Sequence, residues 1–285
     1  MSEPEHIDYD IRWAIDPEAA ALMGTEELRS NFLVDALFEP GRIKLSYTHY
    51  DRMIVGGVLP ADTPLVLAAI KPTGTAAFLE RRELIAVNVG GAGSVACGSE
   101  RFEVGPRDMV YLGRGAGEPS FASSDAATAA KFYLLSAPAH PSHPSRLLTI
   151  ADAKRLDLGA SKTSNQRSIF QFIHADAEVK TCQLVVGMTT FAPGSNWNTM
   201  PPHVHDRRME AYLYFDLPAE ARVFHMMGEP DETRHLVVAN EQAVLSPAWS
   251  IHAGVGTAAY TFIWGMAGDN IDYTDVEPVA VGELR

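Results

Sequence analysis

Cysteine is scarce in this chain. Cys97 and Cys182 are the only two among 285 residues, and two distant thiols do not build a disulfide framework. Both are expected to be reduced and mostly buried. Long apolar runs are missing too: no window approaches the ~20 apolar residues that a membrane span requires. The opening residues Met1-Ser2-Glu3-Pro4-Glu5-His6-Ile7-Asp8 are acidic and carry no apolar stretch, unlike a secretory leader, so the cytoplasm is the expected compartment. Basic charge is the third shortage. Lys and Arg number 23 against 36 Asp and Glu, a formal net charge of −13. Binding along a phosphate backbone needs clustered basic residues, which argues against a nucleic-acid partner. A small anionic substrate stays open, because a few local arginines decide that.

Apolar material is plentiful but comes in short pieces. Hydrophobic residues make up 46% of the chain and charged ones 21%, enough for a sizeable core in one large all-β domain or two smaller ones. Residues 8 to 30 hold the best helical stretch, opened by Asp16-Pro17-Glu18 with an Asp cap and Pro in the first turn. A second helical piece fits Thr25 to Phe38. Together they read as an arm packing on a sheet or on another subunit. From about Ile43 the pattern turns to short β-rich runs: Leu65 to Ile70, Leu84 to Val89, Gly93 to Cys97, Arg101 to Val104 and Met109 to Leu112. Gly90-Gly91-Ala92-Gly93 lacks the following helix that a phosphate loop needs, so a tight hairpin or bulge is expected.

Ala137-Pro138-Ala139-His140-Pro141-Ser142-His143-Pro144-Ser145 reads as an extended, Pro-rich connector. It divides the chain into residues 1–145 and 146–285. Beyond it, Cys182 to Phe191, Ala221 to Met227, Arg234 to Val238, Ala243 to Leu245 and Tyr260 to Met266 fit strands, with a turn at Gly228-Glu229-Pro230-Asp231. A faint repeat relates the halves. Gly105 to Leu112 can be laid over Ala239 to Ser246, which carried on puts Glu118 opposite His252. Leu79-Glu80-Arg81-Arg82 lies over His205-Asp206-Arg207-Arg208, setting Ala77 and Leu79 opposite His203 and His205, and Leu84 opposite Glu210. On this alignment the first half is a barrel without metal ligands and has a structural role.

The chemistry concentrates in Pro201-Pro202-His203-Val204-His205-Asp206-Arg207-Arg208-Met209-Glu210 and, further on, Ser246-Pro247-Ala248-Trp249-Ser250-Ile251-His252. Residues i and i+2 of a strand point to one face, so His203 and His205 can present both imidazoles to one point. The polar Asp-Arg-Arg turn returns the chain into an aromatic, alternating strand on which Glu210 sits early. His252 arrives from a later strand. Three imidazoles and a carboxylate suit a borderline divalent ion such as Zn²⁺, Fe²⁺, Mn²⁺ or Ni²⁺.

The spacing His-x-His-(x)4-Glu with a distant His resembles the metal signature of the cupins, a double-stranded antiparallel β-barrel family. The resemblance goes further. Asn198-Thr199-Met200-Pro201, His205 to Glu210, Val223 to Gly228, Glu232 to His235, Asn240 to Val244, Trp249 to His252 and Tyr260 to Met266 are similar to the 4-deoxy-L-threo-5-hexosulose-uronate ketol-isomerases. So are Arg81 to Leu84, Asn88 to Gly93 and Ala130 to Tyr133 in the first half. The resemblance implies an all-β bicupin of two antiparallel barrels with a short N-terminal helical arm, and a homohexamer. It also implies a zinc-dependent aldose–ketose isomerase of pectin degradation, turning 5-dehydro-4-deoxy-D-glucuronate into 3-deoxy-D-glycero-2,5-hexodiulosonate.

Such a reaction needs a polarised aldehyde, a proton moved between neighbouring carbons, and a stabilised ene-diolate. Glu210 can serve as ligand alone or also as the base. The uronate carboxylate calls for a guanidinium, with Arg208 and Arg167 as candidates, while Arg207 and Arg208 can equally form a turn or interface ion pair. Tyr260 and Trp249 can wall the pocket. His225 and His235 are expected as structural histidines. Other readings of the same ligand set are a 5-deoxy-glucuronate isomerase, an iron-dependent dioxygenase, and a non-catalytic sugar-acid-binding cupin.

Overall fold

The computed structural model describes residues 4–285. The chain forms two compact units. The first holds the segment up to Arg12, then Ala36–Ala153 and Asp176–Leu184; the second holds Trp13–Asp35, Lys154–Ala175 and Val185–Arg285. Each unit is built on one seven-stranded and one four-stranded sheet.

In the first unit the large sheet runs, in spatial order, Ile7–Arg12, Arg42–Thr48, Ile54–Leu59, Phe132–Pro138, Arg82–Asn88, Met109–Leu112 and Arg146–Leu148. The small sheet runs Leu65–Val66, Ser120–Ser123, Gly93–Cys97 and Glu100–Val104. The second unit follows the same winding. Its large sheet is Lys154–Leu158, Arg167–Ile173, Val185–Phe191, Thr261–Gly268, Arg208–Phe215, Gln242–Ser246 and Leu33–Val34. Its small sheet is Trp197–Asn198, Ala253–Gly256, Val223–Glu229 and Glu232–Val238. The internal repeat is visible in the register. Leu84 pairs with Leu112, and Glu210 pairs with Ser246, the positions that the sequence alignment superposes.

None of these sheets closes on itself among the described residues, so the closed barrels expected from sequence are not what the hydrogen bonding draws. One edge of each sheet is a strand of two or three residues, Arg146–Leu148, Leu65–Val66, Leu33–Val34 and Trp197–Asn198, too short to recruit a further neighbour. Nor is every pair antiparallel: Ile7–Arg12 runs parallel to Arg42–Thr48.

The N-terminal segment departs from the expected helix over residues 8 to 30. Ile7, Tyr9 and Ile11 alternate with Asp8, Asp10 and Arg12, a period of two, and this run pairs with Arg42–Thr48. Asp8 is tied to Lys44 at 2.9 Å and to Arg42 at 3.1 Å. Helix begins at Pro17–Leu22, where Asp16 Oδ1 accepts from the Ala19 N–H at 2.8 Å. The second helix, Thr25–Phe32, stops short of Phe38 because Leu33–Val34 pairs with Val244 and Ala243. Gly90 to Gly93 joins strands of two different sheets, so it is a corner and not a hairpin. A Cβ on Gly91 would lie 1.9 Å from the Thr128 carbonyl oxygen, which is why glycine stands there. Residues 139–145 form no regular element, in keeping with their prolines. Both cysteines are free, Cys97 buried and Cys182 half-buried. Among the described residues no helix is long and apolar enough to cross a membrane.

The interior of the first unit is apolar where the second carries chemistry. Leu79 and Leu84, opposite His205 and Glu210 in the repeat, belong to one hydrophobic cluster with Val95, Leu112, Phe121 and Phe132. Glu118, opposite His252, is exposed.

Candidate metal centre

His203 lies on a short strand, His203–Val204, that pairs with Glu277–Pro278. His205 follows in a turn held by its own N–H to the Ala248 carbonyl at 3.2 Å, while its carbonyl accepts from the Arg208 N–H. That turn delivers Glu210 as the third residue of Arg208–Phe215, and His252 immediately precedes Ala253–Gly256. The four side chains converge. Their ligand atoms all lie within 4.8 Å of one another. His252 Nε2 is 2.8 Å from His203 Nε2, and His203 Nε2 is 3.2 Å from His205 Nε2. Glu210 Oε2 is 2.9 Å from His205 Nε2 and 3.1 Å from His252 Nε2.

These spacings fit a cation. Donors about 2.1 Å from one ion stand roughly 3.0–3.4 Å apart in octahedral or tetrahedral geometry. Three imidazole nitrogens facing one point otherwise set lone pairs against each other. The outer nitrogens support the same assignment. His205 Nδ1 lies 3.3 Å from the Asp275 carbonyl, and His252 Nδ1 lies 3.3 Å from the Ser250 carbonyl and from Ser246 Oγ. A proton on Nδ1 is satisfied there, which leaves each Nε2 lone pair free for a metal.

Protonation follows suit. Burial pulls His203 down to about 3, helped by His252, so its imidazole is neutral. Burial alone would raise Glu210, but the facing imidazoles of His252 and His205 outweigh it and hold the carboxyl well below its usual range. A neutral imidazole at His203 and an ionised carboxylate at Glu210 are forms that bind a divalent ion.

A cavity of about 420 Å³ opens on this cluster. His203, His205 and Glu210 form one side. Tyr212, Phe262, Trp264 and Tyr273 form aromatic walls, and Arg167 and Thr189 bring polar groups. Of the residues proposed from sequence to bind substrate, Arg167 is on this surface. It is half-buried, with Nη1 donating to the Asn165 carbonyl at 3.0 Å, and burial lowers its pKa.

Arg208 is placed elsewhere. It is fully buried, and its Nη1 and Nη2 donate to the carbonyls of Asp272 and Asp275, each at 2.6 Å. It stands behind His205 and not in the cavity. Arg207 takes the ion-pair role, with Nε and Nη2 on the Asp275 carboxylate at 2.9 and 2.6 Å and Nη2 on Glu277 at 3.0 Å. Tyr260 packs in the core, its ring 4.9 Å from Phe191 and 5.5 Å from Tyr214. Trp249 donates to the Ile15 carbonyl at 3.1 Å and meets Phe32 edge-on. Neither lines the cavity. His225 is buried with Nδ1 2.8 Å from Tyr214 Oη, and His235 is exposed; neither joins the cluster.

Tyr212, Trp264 and Tyr273 were not singled out by sequence. Tyr212 had a usable signal, since it follows Glu210 by two and shares its face. Trp264 is there because it pairs with Tyr212 across the sheet, and Tyr273 because a loop folds back. Neither leaves a local mark in the chain.

Comparison with known proteins identifies the family. A family model described as the KduI/IolB family matches residues 46–278. The chain is 67% identical to 4-deoxy-L-threo-5-hexosulose-uronate ketol-isomerase 2 of Rhizobium meliloti, covering 98% of this chain and 99% of the relative. It is 59% identical to a protein of the same name from Cereibacter sphaeroides, covering 97% and 98%. Among solved structures, an IolB-like protein from Salmonella typhimurium superposes with a TM-score of 0.68 at 18% identity, over 87% of this chain and 97% of that one. An oxalate decarboxylase from Lactobacillus farciminis gives 0.56 at 9% identity, over 80% and 79%, a likeness of fold alone. With the sequence match spanning both units and the metal motif, the chain belongs to the KduI/IolB family.

Proposed function

We propose that this protein is a metal-dependent ketol-isomerase that converts 5-dehydro-4-deoxy-D-glucuronate to 3-deoxy-D-glycero-2,5-hexodiulosonate. The observation that carries this reading is the convergence of His203, His205, Glu210 and His252 on one point of a cavity that also contains Arg167. The names of the most similar relatives support the substrate. Zinc is the proposed ion, one per chain, held by those four residues. Bound there, it supplies Lewis acidity toward an aldehyde oxygen and the neighbouring hydroxyl.

The chain's own residues do the rest. Arg167 receives the carboxylate and sets the open-chain substrate lengthwise, aldehyde toward the four donors. The aromatic walls exclude water from the carbons that react. Glu210, held ionised, takes the proton from the carbon beside the aldehyde and returns it to the aldehyde carbon, while the proton of the neighbouring hydroxyl passes to the aldehyde oxygen, through an ene-diolate. The alternative assigns Glu210 to the ion alone.

In this reading the paired sheets of each unit are the walls of cupin-like barrels, drawn mainly from residues 1–145 and 146–285 respectively, with Trp13–Asp35 and Asp176–Leu184 exchanged. The first, with Leu79 and Leu84 in place of ligands, is structural. The family resemblance supports a cytoplasmic homohexamer acting in pectin degradation. The deciding experiment assays the purified protein on the unsaturated-uronate breakdown product, with and without chelator and added zinc. Turnover abolished by chelator and restored by zinc is the expected result. Binding without turnover under every condition overturns the enzyme reading, and oxygen uptake redirects it to a dioxygenase.

A further inference from the structure

One wall of the cavity comes from the C-terminal segment between the last strand of the large sheet and the end of the chain. Tyr273, Thr274 and Val276 line the cavity from it. This segment has no α-helix or long strand to hold it, yet it is fixed at many points. Arg207 and Asn270 grip the Asp275 carboxylate, Asn270 at 2.6 Å. Arg208 grips the carbonyls of Asp272 and Asp275 from beneath. The Asp272 N–H and the Thr274 N–H donate to Asn270 Oδ1 and Asp272 Oδ1, at 3.0 and 2.9 Å. Glu277–Pro278 then pairs with the strand that carries His203. So much bonding around so short a piece presents Tyr273 in one place.

Tyr273 shares the cavity surface with Arg167, near enough for the guanidinium to act on its phenol, which is also hydrogen-bonded to the Gln171 side chain. The Tyr273 ring rests 5.3 Å from Trp264 at 45°, and the same cavity surface holds Arg167 and Ile169 of the strand Arg167–Ile173. We propose that Tyr273 is a specificity-determining residue: its phenol, on the same cavity surface as the Arg167 guanidinium, donates a hydrogen bond to the carboxylate of an open-chain sugar acid. The inference deepens the isomerase reading and rests on it for the direction in which substrate lies. Arginine by itself attracts any anion. A second, neutral donor fixed at an angle to it selects an oxygen pair at one distance from the metal cluster, hence a chain of one length. The phenol keeps its proton throughout, since burial, and then the Glu210 charge, push its pKa upward; it is a donor and not a base.

The test uses metal-loaded protein and two unreactive six-carbon chains, gluconate and its neutral counterpart sorbitol. Binding is followed by tryptophan fluorescence, in the wild type and in Tyr273→Phe, alongside metal content and uronate kinetics. Expected for Tyr273→Phe are a Kd for gluconate about tenfold weaker, an unchanged Kd for sorbitol, and a matching rise in uronate KM. The metal content and kcat stay near wild type. Equal gluconate affinity in the two proteins overturns the inference even where the uronate is turned over. Loss of metal from the variant also overturns it, by making Tyr273 a structural support. A wild type that binds gluconate through Tyr273 but turns over no uronate overturns the isomerase reading and leaves the inference standing.

Discussion

Arg208 and His205 share one oxygen. The Asp275 carbonyl accepts from Arg208 Nη2 at 2.6 Å and lies 3.3 Å from His205 Nδ1. A buried arginine three residues along the chain from a metal-ligand candidate thereby sets the carbonyl that orients that imidazole. Residues of this kind commonly change metal affinity 10–100-fold when altered, and the following prediction takes Arg208 in that role.

Arg208→Met removes both carbonyl contacts while keeping much of the side-chain volume. Metal affinity, titrated against a competing chelator, is expected to fall by about ten- to a hundredfold. Arg208→Lys should recover part of it, because one carbonyl can still be reached. Wild-type affinity in a folded Arg208→Met protein contradicts the positioning role.

Replacing a ligand separates binding from chemistry. His252→Ala is expected to release the ion, with metal content falling from one per chain and turnover dropping by about three powers of ten, the scale of several kcal/mol of charge stabilisation. Glu210→Gln should keep the ion more weakly. If it also stops exchange of the substrate proton with solvent, Glu210 is the base; fast exchange with metal retained leaves it a ligand only.

Removing the ion should also soften the second unit. A ligand bound only by the folded state adds about 2.7 kcal/mol at a hundred times its Kd. Chelation is thus expected to lower Tm by several degrees, and zinc to restore it. Calorimetry with and without chelator checks this, and an unchanged Tm argues against metal binding at the four donors.

His225 predicts an acid limb of stability. Burial pulls its pKa down to about 3 from an ordinary value of 6.5, so below pH 6.5 the unfolded chain binds a proton that the folded one refuses. Stability is full above pH 6.5, declines as pH falls toward 3, and levels off below. The slope from this one group is at most about 1.4 kcal/mol per pH unit. Urea unfolding of the wild type and His225→Gln at pH 7.5 and 5 should show a smaller loss in the variant, and equal losses would contradict the assignment.

In the first unit, the buried Glu83 carboxylate accepts from Tyr111 Oη at 2.9 Å and from the N–H groups of Cys182, Gln183 and Leu184 at 2.7, 2.8 and 3.1 Å. Glu83→Gln turns one acceptor oxygen into a donor that faces other donors. A stability loss of about 2–3 kcal/mol is expected, read from denaturant midpoints, with metal content unaffected.

How much of this was legible in the chain differs from residue to residue. The convergence of the four donors was, because a spacing of two and a short polar turn bring His203, His205 and Glu210 together locally, and the Ser-Pro run pointed to His252. The repeat was legible as well: Leu84 and Glu210 align by sequence and pair equivalently in space. Arg208 reads as one candidate for the substrate carboxylate because sequence gives a guanidinium a charge but no direction. Its neighbour Arg207 is exposed and ion-paired, while Arg208 is buried, and only the fold separates them.

Composition, strand periodicity and motif spacing by themselves determined an acidic β protein with four convergent donors, since these are properties of neighbours along the chain. Tertiary structure decided which arginine meets the cavity, that Trp264 and Tyr273 wall it, and that Ile7–Arg12 is a strand. Each of those depends on a partner far away in sequence, and a pairing energy that a residue acquires only on folding leaves no trace in its local pattern.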